Sequence, residues 1–311
     1  MFIVVYRKLS LLIILLPLFL AGCASAPIVS ETAAAPQTLP FEKVAIKQHP
    51  IVAVALGGGA TRGFAHVGVL NTLEKNGIIP DIIVGTSAGA VTGVLFSGGI
   101  RGARLEDVAR QIHRDQIVDW SYSGRGFIRG ELLQKYINDL LDDRPIEGLE
   151  TVFAATATDL GSGNLVIFMK GDAGLAVRIS SSIPGLVSPV TINGHDYVDG
   201  GLVSKVPVQV ARDLGADIVI AVDISLPLND HPVIDSTLAV MKQALAIMSQ
   251  VVAEKDLQEA DIVIRPAIGI VTLGDFDLRD DSIKAGERAA LDMIPAIKQL
   301  LTKKSKARRH H

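Results

Sequence analysis

Cysteine is nearly absent from this sequence: Cys23 is the single one in 311 residues, so no disulfide can form within the chain. An excess of positive charge is lacking too. Lys and Arg number 30 against 33 Asp and Glu, a net charge of −3, which excludes a broad phosphate-binding surface and argues against a nucleic-acid partner. The apolar run from Leu9 to Leu20, about a dozen residues broken by Ser10 and Pro17, is too short to span a bilayer comfortably. No internal repeat is visible, and no cluster of ligand-type side chains has the spacing of a metal site, so neither a metal nor a cofactor is expected. What is present, 49% hydrophobic and 20% charged residues, suits a globular α/β protein.

The amino terminus reads as an address. Arg7 and Lys8 precede the short apolar run, as in a secretory signal. The run ends in Leu20-Ala21-Gly22-Cys23, which resembles the bacterial lipoprotein cleavage box. That resemblance implies removal of residues 1–22 and lipidation of Cys23. Ala24, where Asp would signal retention, favours the outer membrane, on its periplasmic face. Residues 23–49 are rich in Ala, Ser, Thr and Pro and read as a flexible tether. Residues 302–311 carry a basic tail, Lys303-Lys304-Ser305-Lys306-Ala307-Arg308-Arg309, which reads as a solvated end.

Between these, residues 50–301 alternate strand-like and helical patterns with no second boundary. Strands are expected at 51–56, before Ser87, and near 152–158, 164–168, 190–192, 195–198, 217–222 and 262–264. Helices are expected near 62–76, after Ser87, and at 104–115, 129–141, 205–214, 235–258 and 280–301. Asn193-Gly194 marks a tight hairpin. This order implies an α/β fold, a mainly parallel central sheet with helices on both faces.

Three motifs carry chemistry. Gly57-Gly58-Gly59-Ala60-Thr61-Arg62-Gly63 links the first strand to a helix and offers backbone N–H groups to negative charge. It lacks the Gly-Lys-Ser/Thr ending of a P-loop. Gly85-Thr86-Ser87 stands where a dinucleotide fold wants an acidic residue, which leaves an oxyanion hole as the remaining chemical use. Gly85-Thr86-Ser87-Ala88-Gly89 places a serine between small residues on a strand-to-helix turn. Both loops open at the carboxyl ends of their strands and can lie side by side. Of the histidines after Ser87, namely His113, His195, His231, His310 and His311, none has a convincing loop setting for a triad. His66 follows the glycine loop and is expected to pack against the sheet. Val198-Asp199-Gly200-Gly201 instead offers a carboxylate between apolar residues and two glycines.

Together these blocks resemble the patatin-like phospholipases, in the bacterial branch related to neuropathy target esterase. The likeness covers most of residues 51–225 and includes Gly63-Phe64-Ala65-His66-Val67-Gly68-Val69-Leu70, Ala157-Thr158-Asp159-Leu160, Ser180-Ser181-Ser182-Ile183-Pro184-Gly185 and Val198-Asp199-Gly200-Gly201 running into Val206-Pro207-Val208. It implies a Ser–Asp dyad: Ser87 as nucleophile and Asp199 as general base, with Gly58, Gly59 and Ala60 as oxyanion donors. Gly57, Arg62, Gly63, Gly85, Gly89, Gly200 and Gly201 would support them. Ala60 departs from the glycine that many members carry. The implied substrate is a fatty acyl ester of a phospholipid or lysophospholipid at a membrane; the sequence names no protein partner. An esterase for other esters, or a non-catalytic envelope lipoprotein, is the alternative.

Overall fold

The computed structural model describes residues 36, 41, 43–44, 49–121, 124–225, 228, 234–269 and 276–308. The signal, the lipidation box at Cys23 and nearly all of the tether lie outside the described residues.

Eight strands form one sheet in the order β5-β6-β3-β2-β1-β7-β8, with β4 also paired to β3. At its centre β1 (Val52–Leu56) runs parallel to β2 (Ile82–Gly85) and β7 (Ile218–Val222). β8 (Ile262–Ile264) runs parallel to β7, and β3 (Val152–Asp159) runs parallel to β2. The remaining strands, β4 (Leu165–Phe168), β5 (Val190–Ile192) and β6 (His195–Asp199), pair antiparallel. The hairpin between β5 and β6 turns through Asn193 and Gly194, both at positive φ, as the Asn-Gly pair predicts.

Every residue of β1 is buried because helices cover both faces. Val52, Val54 and Leu56 face α1 (Phe64–Lys75), α2 (Ala88–Ser97) and α9 (Arg279–Arg308), through Leu70, Leu73, Phe96, Ile283 and Ile294. Ala53 and Ala55 face the side covered by α7 (Val208–Asp213) and α8 (Thr237–Leu257). Four shorter helices complete the described chain: α3 (Gly102–Gln111), α4 (Arg114–Ile117), α5 (Glu131–Leu140) and α6 (Ala173–Ser180).

Three departures from the sequence pattern have local causes. α6 was not expected; Asp172 caps it, accepting the Leu175 N–H at 2.8 Å. α7 starts at Val208 rather than 205, because Pro207 lacks an N–H and occupies the cap. The last helix runs to Arg308 instead of stopping at 301. Arg308 is not a solvated end: its guanidinium lies 2.6 Å from the Asp217 carboxylate and also donates to the His49 carbonyl.

α1 and α9 meet at backbone distance. A Cβ on Gly68 would fall 2.0 Å from the Ile283 carbonyl oxygen, and one on Gly286 2.0 Å from that of Ala65. Gly68→Ala therefore forces the helices apart despite its better helix propensity. We expect a loss of about 1–3 kcal/mol, read as a lower denaturant midpoint; an unchanged or raised midpoint contradicts this packing.

Candidate active site

β1 and β2 end level, Leu56 opposite Gly85, so the glycine loop and the Ser87 turn emerge together. The Thr86 N–H donates to the Leu56 carbonyl at 3.0 Å. α2 then begins so close to β1 that a Cβ on Gly89 would lie 2.1 Å from the Leu56 oxygen. This crowding forces a sharp turn, and Ser87 takes φ 54° and ψ −120°. A non-glycine residue at positive φ costs on the order of 1–3 kcal/mol, held here by the buried elements around it. One of them is Ser180 on α6, whose Oγ accepts the Ser87 N–H at 2.9 Å.

β3 brings the second group. Its Ala155 partners Gly85 of β2, and two residues on, its Ala157 partners Asp199 of β6. Because β6 runs antiparallel, its carboxyl end approaches that of β2 along β3. The Asp199 backbone is pinned there: its N–H donates to the Ser182 carbonyl at 3.0 Å, and its carbonyl accepts from the Thr158 hydroxyl at 2.9 Å. Asp199 then caps the 3-10 turn Gly200–Leu202, its Oδ1 accepting the Gly201 N–H at 2.7 Å. The Ser87 hydroxyl faces the carboxylate. Ser87 and Asp199 are only 6% and 7% exposed, so the pair is largely withdrawn from water. Burial raises the Asp199 pKa above 3.8, opposed by Lys205, by Ser87 and by the Gly201 N–H. Desolvation thus turns an ordinary carboxylate into a better base.

The glycine loop completes the site, with one correction. The Gly58 N–H donates to the Lys205 carbonyl at 3.0 Å and cannot serve an oxyanion. Among the described residues, the N–H groups of Gly59 and Ala60 have no acceptor. Ala60 tolerates its Cβ at φ 50°, in the left-handed region. Arg62, 4% exposed, is the brace: its Nε donates to the Ile224 carbonyl at 2.8 Å and its Nη1 to that of Gly269 at 2.9 Å. Gly63 lets the loop close on α2, since a Cβ there would lie 2.7 Å from that of Ala88. Gly57 continues the β1 ladder to Val222, and Gly200 abuts Thr156 too closely for any side chain.

The described histidines contact other groups than the Ser87–Asp199 pair. His195 points its Nδ1 at the Asp159 carboxylate, 3.0 Å away, at the opposite end of β6 from Asp199. His66 does reach the strand ends, contrary to the expectation that it packs on the sheet. Its Nε2 donates to the Gly57 carbonyl at 2.8 Å while Nδ1 is buried without a partner. It is therefore a neutral strut under the loop. His113 precedes α4, and His231, His310 and His311 lie outside the described residues. The sequence assigns no role to Lys205, nor to Ser180, although Ser180 opens one of the blocks of the family likeness; neither position fixes where its side chain points. Among the described residues no group of three or more His, Cys, Asp or Glu could hold a metal.

Burial lowers the His66 pKa from 6.5 to about 4. The unfolded chain therefore binds a proton that the native state refuses between those values. Stability should fall as pH drops from about 6.5 toward 4 and lose no more from this group below that, about 3 kcal/mol in all. His66→Gln keeps a donor for Gly57 and removes the titration. Its thermal unfolding should show a flatter acid dependence; the same slope as wild type would refute the buried neutral state.

Comparison with known proteins shows the family of the chain. Residues 54–212 match the family model for patatin-like phospholipase. An NTE family protein of Mycobacterium tuberculosis is 35% identical over 184 residues, 57% of this chain and 49% of that protein. Patatin-like phospholipase domain-containing protein 7 of Rattus norvegicus is 35% identical over 181 residues, 56% of this chain and 13% of that protein. The chain thus spans about half of the first relative and a small part of the second. The fold of VipD from Legionella pneumophila is similar, with TM-score 0.54 at 13% identity over 86% of this chain and 72% of that one. The chain belongs to the patatin-like phospholipase family.

Proposed function

We propose that the protein is a serine acyl hydrolase that cleaves fatty acyl esters of phospholipids or lysophospholipids through an acyl-enzyme. The observation that carries this is the apposition of Ser87, on its strained turn, with the buried Asp199 carboxylate, beside two N–H groups that have no acceptor among the described residues. Ser87 Oγ attacks the ester carbonyl carbon as Asp199 takes its proton. The carbonyl oxygen gains the negative charge, facing the Gly59 and Ala60 N–H groups. Collapse breaks the ester bond, and Asp199 returns the proton to the departing alcohol oxygen. Water then attacks the acyl-serine as Asp199 accepts its proton, the Oγ–acyl bond breaks, Asp199 returns the proton to Ser87 Oγ, and fatty acid leaves.

A lipid substrate is supported by α8. Among the described side chains of that helix, Ala253 and Leu257 join the core, while Val240, Met241, Leu245, Met248 and Val251 are exposed. Between Ser236 and Glu254 its sequence holds a single charged residue, Lys242. The helix packs beside the 3-10 turn that follows Asp199, so an apolar face adjoins the chemistry, as suits a lipid surface. Among the described residues no helix is long and apolar enough to cross a membrane. Anchoring would come from Cys23, with location at the periplasmic face of the outer membrane as the proposal.

Ser87→Ala and Asp199→Asn should each lower fatty-acid release from phosphatidylglycerol vesicles at least about a thousand-fold, while His195→Gln leaves most of it. Wild-type activity should rise with pH through an apparent pKa above 3.8, since the base must be ionised. Hydrolysis of short nitrophenyl esters alone would favour a non-phospholipid esterase, and hydrolysis of neither a non-catalytic lipoprotein. Separately, wild-type protein made in a bacterial host should carry acyl chains and sediment with membranes, and Cys23→Ser should do neither. A soluble wild-type protein without acyl chains would end the anchoring proposal.

A further inference from the structure

Lys205 runs through this site, and among the described residues its side chain forms no hydrogen bond or salt bridge. Its backbone is fixed on both sides: the carbonyl accepts the Gly58 N–H at 3.0 Å, and Asp256 of α8 accepts the N–H groups of Lys205 and Val206, the latter at 2.9 Å. Its side chain follows the dyad. A point one Cβ bond from Gly201 lies 3.0 Å from Asp199 Oδ1 and 3.5 Å from Lys205 Cδ. The corresponding point on Gly58 lies 3.2 Å from Ser87 Cβ and 3.5 Å from Lys205 Nζ. The stem therefore passes the carboxylate, and the ammonium ends beside Gly58 of the glycine loop, which also adjoins Ser87. Among the described residues it forms no ion pair within 4.0 Å.

We propose that Lys205 is a positioning residue for the dyad, its stem passing the Asp199 carboxylate and its ammonium held nearby at the glycine loop so that Asp199 stays ionised and directed at Ser87. This rests on the serine-hydrolase reading. Burial pushes the Asp199 pKa up and the Lys205 pKa down, and each charge opposes the shift of the other. Among the described residues Lys205 is the cation whose field reaches Asp199. Surrounding charges are engaged elsewhere. On β3 and β6, Asp159 pairs with His195 and Asp196 with Arg125. On α6, Arg178 donates to the Arg129 carbonyl and to Gln134. After β7, Asp223 pairs with Arg265, although it too attracts Lys205. Asp256 holds backbone rather than the ammonium. With two carboxylates already drawing on it, Lys205 is better placed to balance the base than to capture a substrate phosphate.

Removing the charge should let desolvation act unopposed on Asp199, so that the base is protonated at higher pH. In Lys205→Met the acidic limb of kcat/KM on a neutral nitrophenyl ester should move up by about one to two pH units. The alkaline plateau should change less than about threefold, and Lys205→Arg should restore the limb. Lys205→Gln serves if the Met variant does not fold, as judged by circular dichroism. The rate at which a fluorophosphonate labels Ser87 gives a second readout free of substrate recognition. In that reaction Ser87 Oγ forms the O–P bond, the P–F bond breaks, fluoride leaves and Asp199 takes the proton. Its acidic limb should shift in parallel. An unmoved limb in a folded, uncharged variant overturns the proposal. So does a plateau lost at every pH, or a raised KM confined to anionic lipid, which would make Lys205 a phosphate contact. If wild-type Ser87 is labelled at no pH, the hydrolase reading itself has failed.

Discussion

The antiparallel pairing of β6 on β3 is the constraint on which the site depends. In an all-parallel sheet every strand would deliver its carboxyl end to one edge from the same direction, each followed by its own loop. Here β6 returns against β3, with Asp199 opposite Ala157 and only two residues beyond the Gly85 register. A carboxylate at the end of one strand thus meets a hydroxyl at the end of another without a long loop to carry either. The same pairing buries the carboxylate, and burial makes it basic. Geometry and proton affinity have one cause.

Around that pair, strain and support are divided between elements. Ser87 and Ala60 both sit at positive φ, where a Cβ is unfavourable. Neither could persist alone. Ser180 holds the first by its N–H, and the loop carrying the second is clamped by Arg62 to carbonyls beyond β7 and β8 and underpinned by His66. Nearly every polar group in these supports contacts main chain, not side chain. Support from main chain keeps the loop in place without adding charges that would compete with the dyad.

The long helix α8 is tied to the segment beside Asp199. Through Asp256 it holds the backbone of Lys205 and Val206, whose preceding turn is capped by Asp199. Its outward face is apolar over several turns. Burial lifts the Asp256 pKa to about 6, so the tie between helix and site weakens as pH falls through that range.

The sequence by itself determined the local pieces. Continuous apolar runs such as Val52–Leu56 specify strands buried on both faces, and Asn193-Gly194 specifies a hairpin, because these depend on neighbours in the chain. The glycine loop, the serine turn and Asp-Gly-Gly were legible for the same reason: each needs small residues at fixed spacing. Tertiary structure decided what only distant residues can settle. The Gly58 N–H is spent on the Lys205 carbonyl, 147 positions away in sequence by the two numbers, and no local pattern records that bond. Ser180 reaches Ser87 from a helix whose only local signal was the Asp172 cap. Lys205 looks like any surface lysine until β6 and the glycine loop close around it. Hydrogen bonds and fields act through space, so their partners are fixed by the packed sheet rather than by the order of residues.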